Sequence, residues 1–362
     1  MGAAIGKSGV ARATPLATAT LILAANAPDI DVFSYVRGEY FALAFRRGIT
    51  HGWPALLILP FVVTGLMLFY DRVVRRRRNA EAIPARAGPL LALSMLGVLT
   101  HPALDWMNTY GMRWGLPFSD AWTYGDALFI IDPWIWLVLG GAVFLVSSRS
   151  AGGIAVWTLL SALASLVVLT FEFGAATKWI WAGGLVVIAA LRLRRGSSSA
   201  DRRLPIASLA IVAVYISTMV SADLVARSQV RSSAESMGLR VQDVMVAPSP
   251  ANPFRTEVEV ITDEGFVPGV HHWIGSTRVE LHPEHIVPLL EGPVGVPVAE
   301  LERIAALAQL EPEVARYLVW SRYPYVWIEP EGTGWWVQVS DARYDGRSGT
   351  DGMSALRVRI RD

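Results

Sequence analysis

Six stretches of this 362-residue chain are long and apolar enough to cross a lipid bilayer: Gly52–Tyr70, Gly88–Met107, Ala127–Val146, Gly153–Phe171, Trp179–Leu193 and Leu204–Ala222. Each is near the roughly 20 residues that a helix needs to span hydrocarbon. Lipid offers the backbone no hydrogen-bond partner, so such stretches fold as helices. Pro15–Ala27 is too short alone. It becomes a seventh span only if Gly2–Thr14 continues its helix, and its Asn-Ala-Pro-Asp ending reads as structure, not as a cleaved signal. Only 17% of the chain is charged, against about 25% in soluble domains, and the deficit lies in residues 1–222. The expected fold is an α-helical polytopic membrane domain of six to seven helices over 1–222, followed by a small α+β, mostly β, soluble domain over 223–362.

The arginines orient the spans. DRVVRRRRNAEAIPAR (Asp71 to Arg86) holds six arginines and RLRRGSSSADRR (Arg192 to Arg203) holds five, while the short link SSRSAG holds Arg149. By the positive-inside rule these loops are cytoplasmic. The loops carrying Asp29 and Asp31, Asn108–Asp126 and Glu172–Lys178 then face the other side, with everything after Ala222. Ser197–Ala200 reads as a loop within the membrane domain. A net charge of +1 gives no field for nucleic acid, and the arginine runs fit topology and anionic lipid. The absence of cysteine excludes disulfides and thiolate metal sites.

After residue 225, TEVEVITD, TRVELH, YVWIEP, WWVQVSD and ALRVRIRD alternate apolar and polar residues and predict strands. VAELERIAALAQ (Val298 to Gln309) and PEVARYLVW (Pro312 to Trp320) predict two helices.

An ionisable side chain at membrane depth costs a few kcal/mol or more unless paired or bound to an ion. On this topology six such residues reach one level. Asp29 and Asp31 follow the first apolar run, and His51 precedes the next helix. His101 and Asp105 lie four residues apart on one helix face, and Asp132 enters the following helix. Imidazole and carboxylate suit a divalent cation, zinc first, with iron or manganese also compatible. Such an ion would acidify a bound water and polarise a phosphoryl or carbonyl oxygen. His51, His101, Asp105 and Asp132 are the expected metal residues, and Asp29 and Asp31 the expected catalytic ones. The structural alternatives are a simple His101–Asp105 pair, a helix stop at PDID and a helix cap at Asp132 before Pro133.

His282 and His285 in HPEH could pinch a metal, although such a turn usually lies exposed. His271–His272 carries less. Tryptophans near span ends form an interfacial belt. No GxSxG, P-loop or dinucleotide fingerprint occurs in its required context.

APDIDV, RRGITHG, THPALDWMNTYG, LPFSDAWTYGDALFIIDPW and, late in the chain, WSRYPYV and DARY resemble the bacterial inner-membrane metal-dependent hydrolase family of the YdjM type. The resemblance implies a multi-helix membrane domain with a His/Asp metal site, similar to helical zinc phospholipase C and nuclease-like folds. It places the family's polar residues at Asp29, Asp31, His51, His101, Asp105 and Asp132. Family members typically start with a short segment bearing Asp, Thr and His, roughly where Met1 stands. This chain opens MGAAIGKSGV and lacks that histidine, so either its start lies upstream or the site has lost a ligand.

The resulting expectation is a multi-pass protein of the bacterial inner membrane with an extracytoplasmic C-terminal domain. It would be a metal-dependent hydrolase acting on a lipid-linked or periplasmic ester or phosphoester. The alternative is a non-catalytic membrane scaffold whose C-terminal domain binds an envelope partner.

Overall fold

A computed structural model describes residues 1–171, 173–195, 202–344 and 355–361. The loop expected at Ser197–Ala200 lies outside them. The helices in chain order are α1 (Gly2–Lys7), α2 (Ala17–Ala24), α3 (Glu39–Phe45), α4 (Trp53–Tyr70), α5 (Arg76–Arg78), α6 (Ala87–Trp106), α7 (Pro133–Ser147), α8 (Ala151–Thr170), α9 (Ala175–Arg195), α10 (Arg203–Ser236), α11 (Val298–Gln309) and α12 (Pro312–Trp320). The strands are β1 (Asp243–Pro248), β2 (Arg255–Ile261), β3 (Gly265–His272), β4 (Val279–Leu281), β5 (Val287–Pro288), β6 (Leu290–Glu291), β7 (Pro324–Glu331), β8 (Gly334–Asp341) and β9 (Ala355–Arg361). An α-helical membrane part thus precedes a mostly β part.

The chain divides into two compact units. The first comprises residues 1–30, 47–222 and 248–253; the second comprises 31–46, 223–247 and 254–362. Among the described residues, five helices of the first part are long and apolar enough to cross a membrane: Trp53–Arg78, α6, α8, Ala175–Arg194 and α10. The stretch expected to span from Ala127 forms a helix only from Pro133, 15 residues long. Asp132 stops it there by accepting the backbone N–H groups of Trp134 and Ile135, two donors that a helix start leaves unmet. The first apolar run does not join the residues before it into one span. A 3-10 turn at Val10–Ala13 follows Gly9 (φ 119°), and Leu16 (φ 67°) separates it from α2. The helices on either side hold 6 and 8 residues.

Helix α2 packs closely on α6. A Cβ on Gly97 would lie 2.6 Å from the Ala24 Cβ, so only glycine allows this approach. Thr64 on α4 donates to Ser94 Oγ on α6 at 3.1 Å, both buried. Such interhelical hydrogen bonds hold helices together where lipid provides no hydrophobic drive.

In the second unit one sheet runs β1-β2-β3-β4 with β5 paired to β3, and another runs β6-β7-β8-β9. Only the β6–β7 pairing is parallel among those whose register is described. Ala226, Val230 and Ala234, four residues apart along the end of α10, join Val244, Val258, Val260 and Val267 in one core. Helices α11 and α12 bury Leu301, Ile304, Ala308, Val314, Tyr317 and Trp320. Residues 31–46 also belong to this unit: Tyr40 meets Tyr317 edge-on at 6.2 Å, and the Arg316 guanidinium lies 5.8 Å from the Phe41 ring centre.

Candidate metal centre

His101 and Asp105 occupy the last turns of α6, four residues apart. The tight contact at Gly97, one turn earlier on the same face, brings the C-terminal end of α2 alongside. There His101 Nδ1 lies 2.8 Å from the Ala25 carbonyl oxygen. A carbonyl can only accept, so Nδ1 carries the proton and Nε2 faces the other way. Asp29 follows in the 3-10 segment Ala27–Arg37. His51 ends a turn closed by its N–H on the Gly48 carbonyl, just before α4.

The four side chains converge. Asp105 Oδ2 lies 3.5 Å from both His51 Nε2 and His101 Nε2. Asp29 oxygens lie 3.5 Å from His101 Nε2 and 4.0 Å from His51 Nε2. His51 is fully buried, whereas the Asp29 side chain is 44% exposed, making Asp29 the most solvent-accessible of the four.

These separations test the donor set. Direct hydrogen bonds between such groups run about 2.7–3.2 Å. Four N and O donors about 2.0–2.1 Å from one tetrahedral centre stand about 3.3 Å apart. The observed 3.5–4.0 Å are longer than the first and close to the second. Two imidazoles and two carboxylates also match the donor preferences of zinc, and the proton on His101 Nδ1 bonded to a backbone carbonyl is the arrangement that readies Nε2 as a ligand. Asp29, His51 and His101, whose donor atoms all lie within 4.8 Å of one another, fit a divalent cation, with Asp105 3.5 Å from both imidazoles.

Of the six expected residues, the structure gathers Asp29, His51, His101 and Asp105. Asp31 is buried and pairs with Arg46 Nε at 3.2 Å within the second unit. Asp132 is not brought to the histidines: it caps α7 and accepts the Tyr215 hydroxyl at 2.7 Å, the helix-cap alternative. His282, Glu284 and His285 also form a group of potential ligands, largely exposed, with His282 Nδ1 3.2 Å from a Glu284 oxygen. His271 is buried beside Trp273 and contacts Gln229 Oε1 through Nε2 at 2.8 Å.

Sequence reasoning passed over Arg47. Its Nε lies 3.1 Å from Asp105 Oδ2, its Nη1 donates to Asn108 Oδ1 at 2.7 Å, and its guanidinium covers the Tyr110 ring at 4.4 Å. Its backbone holds φ 53°, a costly conformation for a residue with a side chain. A signal existed: Arg46 and Arg47 stand on the side that the positive-inside pattern leaves arginine-poor, where arginines call for carboxylate partners.

The uncharacterized protein YfhP of Bacillus subtilis (strain 168) is 26% identical over 146 residues, 40% of this chain and 40% of that protein. The chain therefore spans less than half the length of that relative. No solved structure matches. The family model described as YdjM inner membrane protein matches residues 1–176, a segment that contains all four clustered side chains and Arg47. With five long apolar helices among the described residues, the chain is a multi-pass membrane protein whose residues 1–176 match the YdjM inner membrane protein family.

Proposed function

We propose that the chain is a membrane-embedded, metal-dependent hydrolase holding a divalent cation, zinc first, among Asp29, His51, His101 and Asp105. Its substrate would be a lipid-linked or periplasmic ester, a phosphoester foremost. One observation carries the reading: a ring nitrogen each of His51 and His101 and a carboxylate oxygen of Asp29 all lie within 4.8 Å of one another, with Asp105 3.5 Å from both imidazoles and His101 held in the required tautomer by the Ala25 carbonyl.

A bound divalent cation would supply Lewis acidity and a water that ionises near neutral pH. The chain's own groups do the rest. Arg47 fixes Asp105 beside both imidazoles, and the Ala25 carbonyl fixes the plane of His101. Asp29, the most solvent-accessible of these side chains, is the group placed to take up a proton at the accessible edge. Asp31 and Asp132 hold Arg46 and the α7 terminus. The arginine pattern supports an extracytoplasmic side for the site and the C-terminal domain.

The Arg47–Asp105 pair also favours a second reading, a charge network that only pins helices in a scaffold whose C-terminal domain binds an envelope partner. Metal content separates the two. Mass spectrometry of the detergent-purified chain should find about one divalent ion per protein, the occupancy of a single four-donor site, and a folded His101→Ala protein should lack it. Retention of the ion should then accompany hydrolysis in a screen of phospholipids and phosphodiesters. Wild-type protein that takes up no added zinc, manganese or iron would leave the scaffold reading.

A further inference from the structure

Helices α7, α8 and α9, together with Met1, line a half-open cavity of about 440 Å³ within the first unit. Trp136 and Gly140 of α7, Trp157 and Ser161 of α8, and Trp181 and Leu185 of α9 are among its walls, and no charged side chain is. Small residues such as Gly140 and Ser161 usually let membrane helices close up, but here the indoles stand in the gap. Trp181 is locked in place, its Nε1 donating to Ser165 Oγ at 3.0 Å.

The volume falls in the range of small-molecule sites, ~300–1,000 Å³. Its depth identifies the occupant. Trp157, Ser161 and Ala164 line the cavity from the middle of the 20-residue helix α8, whose apolar window is only 6% buried by protein. The surrounding medium at that level is hydrocarbon. Apolar cavities stay dry, and an unfilled one forfeits the dispersion contacts of its walls. We infer that this cavity is a binding site for one acyl chain of a bilayer lipid. It shares no residue with the His/Asp cluster, so it stands or falls independently of metal binding.

The test uses the full chain in vesicles of phosphatidylethanolamine and phosphatidylglycerol, with a trace of phosphatidylcholine carrying a diazirine in one acyl chain. After illumination, adducts on the peptides holding Gly140, Trp157 and Ser161 should exceed those on the exposed Leu163 and Leu166 of α8. A Cβ on Gly140 would meet nothing within 4 Å, so Gly140→Leu grows into open space and favours the helix. It should cut cavity adducts about tenfold, corresponding to ~1.4 kcal/mol, and leave the Leu163 and Leu166 adducts unchanged. Ser161→Phe fills the same space from α8 and should act alike should Gly140→Leu fail to fold. Cavity adducts no richer than those on Leu163 and Leu166, adducts insensitive to both fillings, or cross-links to a second copy in place of lipid would each overturn the inference.

Discussion

His101 Nδ1 meets the Ala25 carbonyl oxygen at 2.8 Å, a bond between residues 76 positions apart in the chain. It joins the end of α2 to the end of α6 and decides which ring nitrogen is left for the carboxylates. Asp29 lies one turn beyond Ala25, so the same contact that sets the tautomer also brings in the second carboxylate. The centre is therefore assembled by helix packing at Gly97 and Ala24, and its precision is inherited from the membrane helices.

Arg47 is expected to hold Asp105 in place. Arg47→Ala leaves a largely buried carboxylate without its guanidinium and should cost about 3–5 kcal/mol, seen as a lowered midpoint of thermal unfolding in detergent. Zinc affinity, followed by competition with a chelator, should fall about 10–100-fold as for lost supporting contacts. Arg47→Lys should recover stability only in part, because lysine cannot reach Asp105 and Asn108 with one planar fork. Unchanged affinity in Arg47→Ala would remove Arg47 from the site.

Asp132 gives the contrasting case. It accepts two backbone N–H groups at the start of α7 and the hydroxyl of Tyr215. Asp132→Ala should cost about 1–2 kcal/mol as a lost cap and leave zinc content at its wild-type value. A variant that stays folded but loses metal would return Asp132 to the ligand set.

Much of this was legible in the residues. The apolar runs marked the long helices because an unbroken apolar run of about 20 residues satisfies its backbone in lipid as a helix, and Val298–Gln309 and Pro312–Trp320 coincide with α11 and α12 because their apolar positions repeat at helical spacing. His101 and Asp105 share a face by arithmetic alone. What escaped depended on contacts distant in sequence. GFVPGVHH folds as β3 despite its internal proline and glycines, because β2 and β4 flank it on either side. The segment 31–46 carries no composition that assigns it to the second unit; Tyr40 and Phe41 do so by packing on α12. Asp132 sits before a proline, and that local signal for a cap was the one to weigh more heavily.

Asp341 should govern acid stability of the second unit. It is fully buried and accepts from Ser321 Oγ at 2.6 Å, the Arg322 N–H at 2.7 Å and Arg343 Nε at 2.9 Å. Burial alone would raise its pKa, but the Arg343 guanidinium and these donors hold it below the usual range. A carboxyl depressed in the folded state adds stability that is complete above its unfolded value of about 3.9 and is lost as pH falls through the folded value. Chemical unfolding of the full chain, followed by tryptophan fluorescence across an acid series, should show that loss. Asp341→Asn should cost about 3–5 kcal/mol near neutral pH by leaving Arg343 buried without its charge partner, and should flatten the acid slope. An unaltered slope would mean that other carboxylates set the acid limit.

Membrane orientation can be read from introduced cysteines, because the chain has none of its own. The arginines of Arg72–Arg78 and Arg149 lie on one side only if the 15-residue α7 crosses. Its rise is about 22 Å, against hydrocarbon about 30 Å thick, a mismatch that local thinning of the bilayer can absorb. Thr123 is exposed and pairs with Met112 through backbone groups that a cysteine keeps. In intact cells Thr123→Cys should react with a membrane-impermeant maleimide, whereas Asn79→Cys and Arg149→Cys should react only after permeabilisation. Labelling of Arg149→Cys alongside Thr123→Cys would mean that α7 turns back without crossing. Labelling of Asn79→Cys in intact cells, with Thr123→Cys protected, would place the His/Asp centre on the cytoplasmic side and exclude a periplasmic substrate.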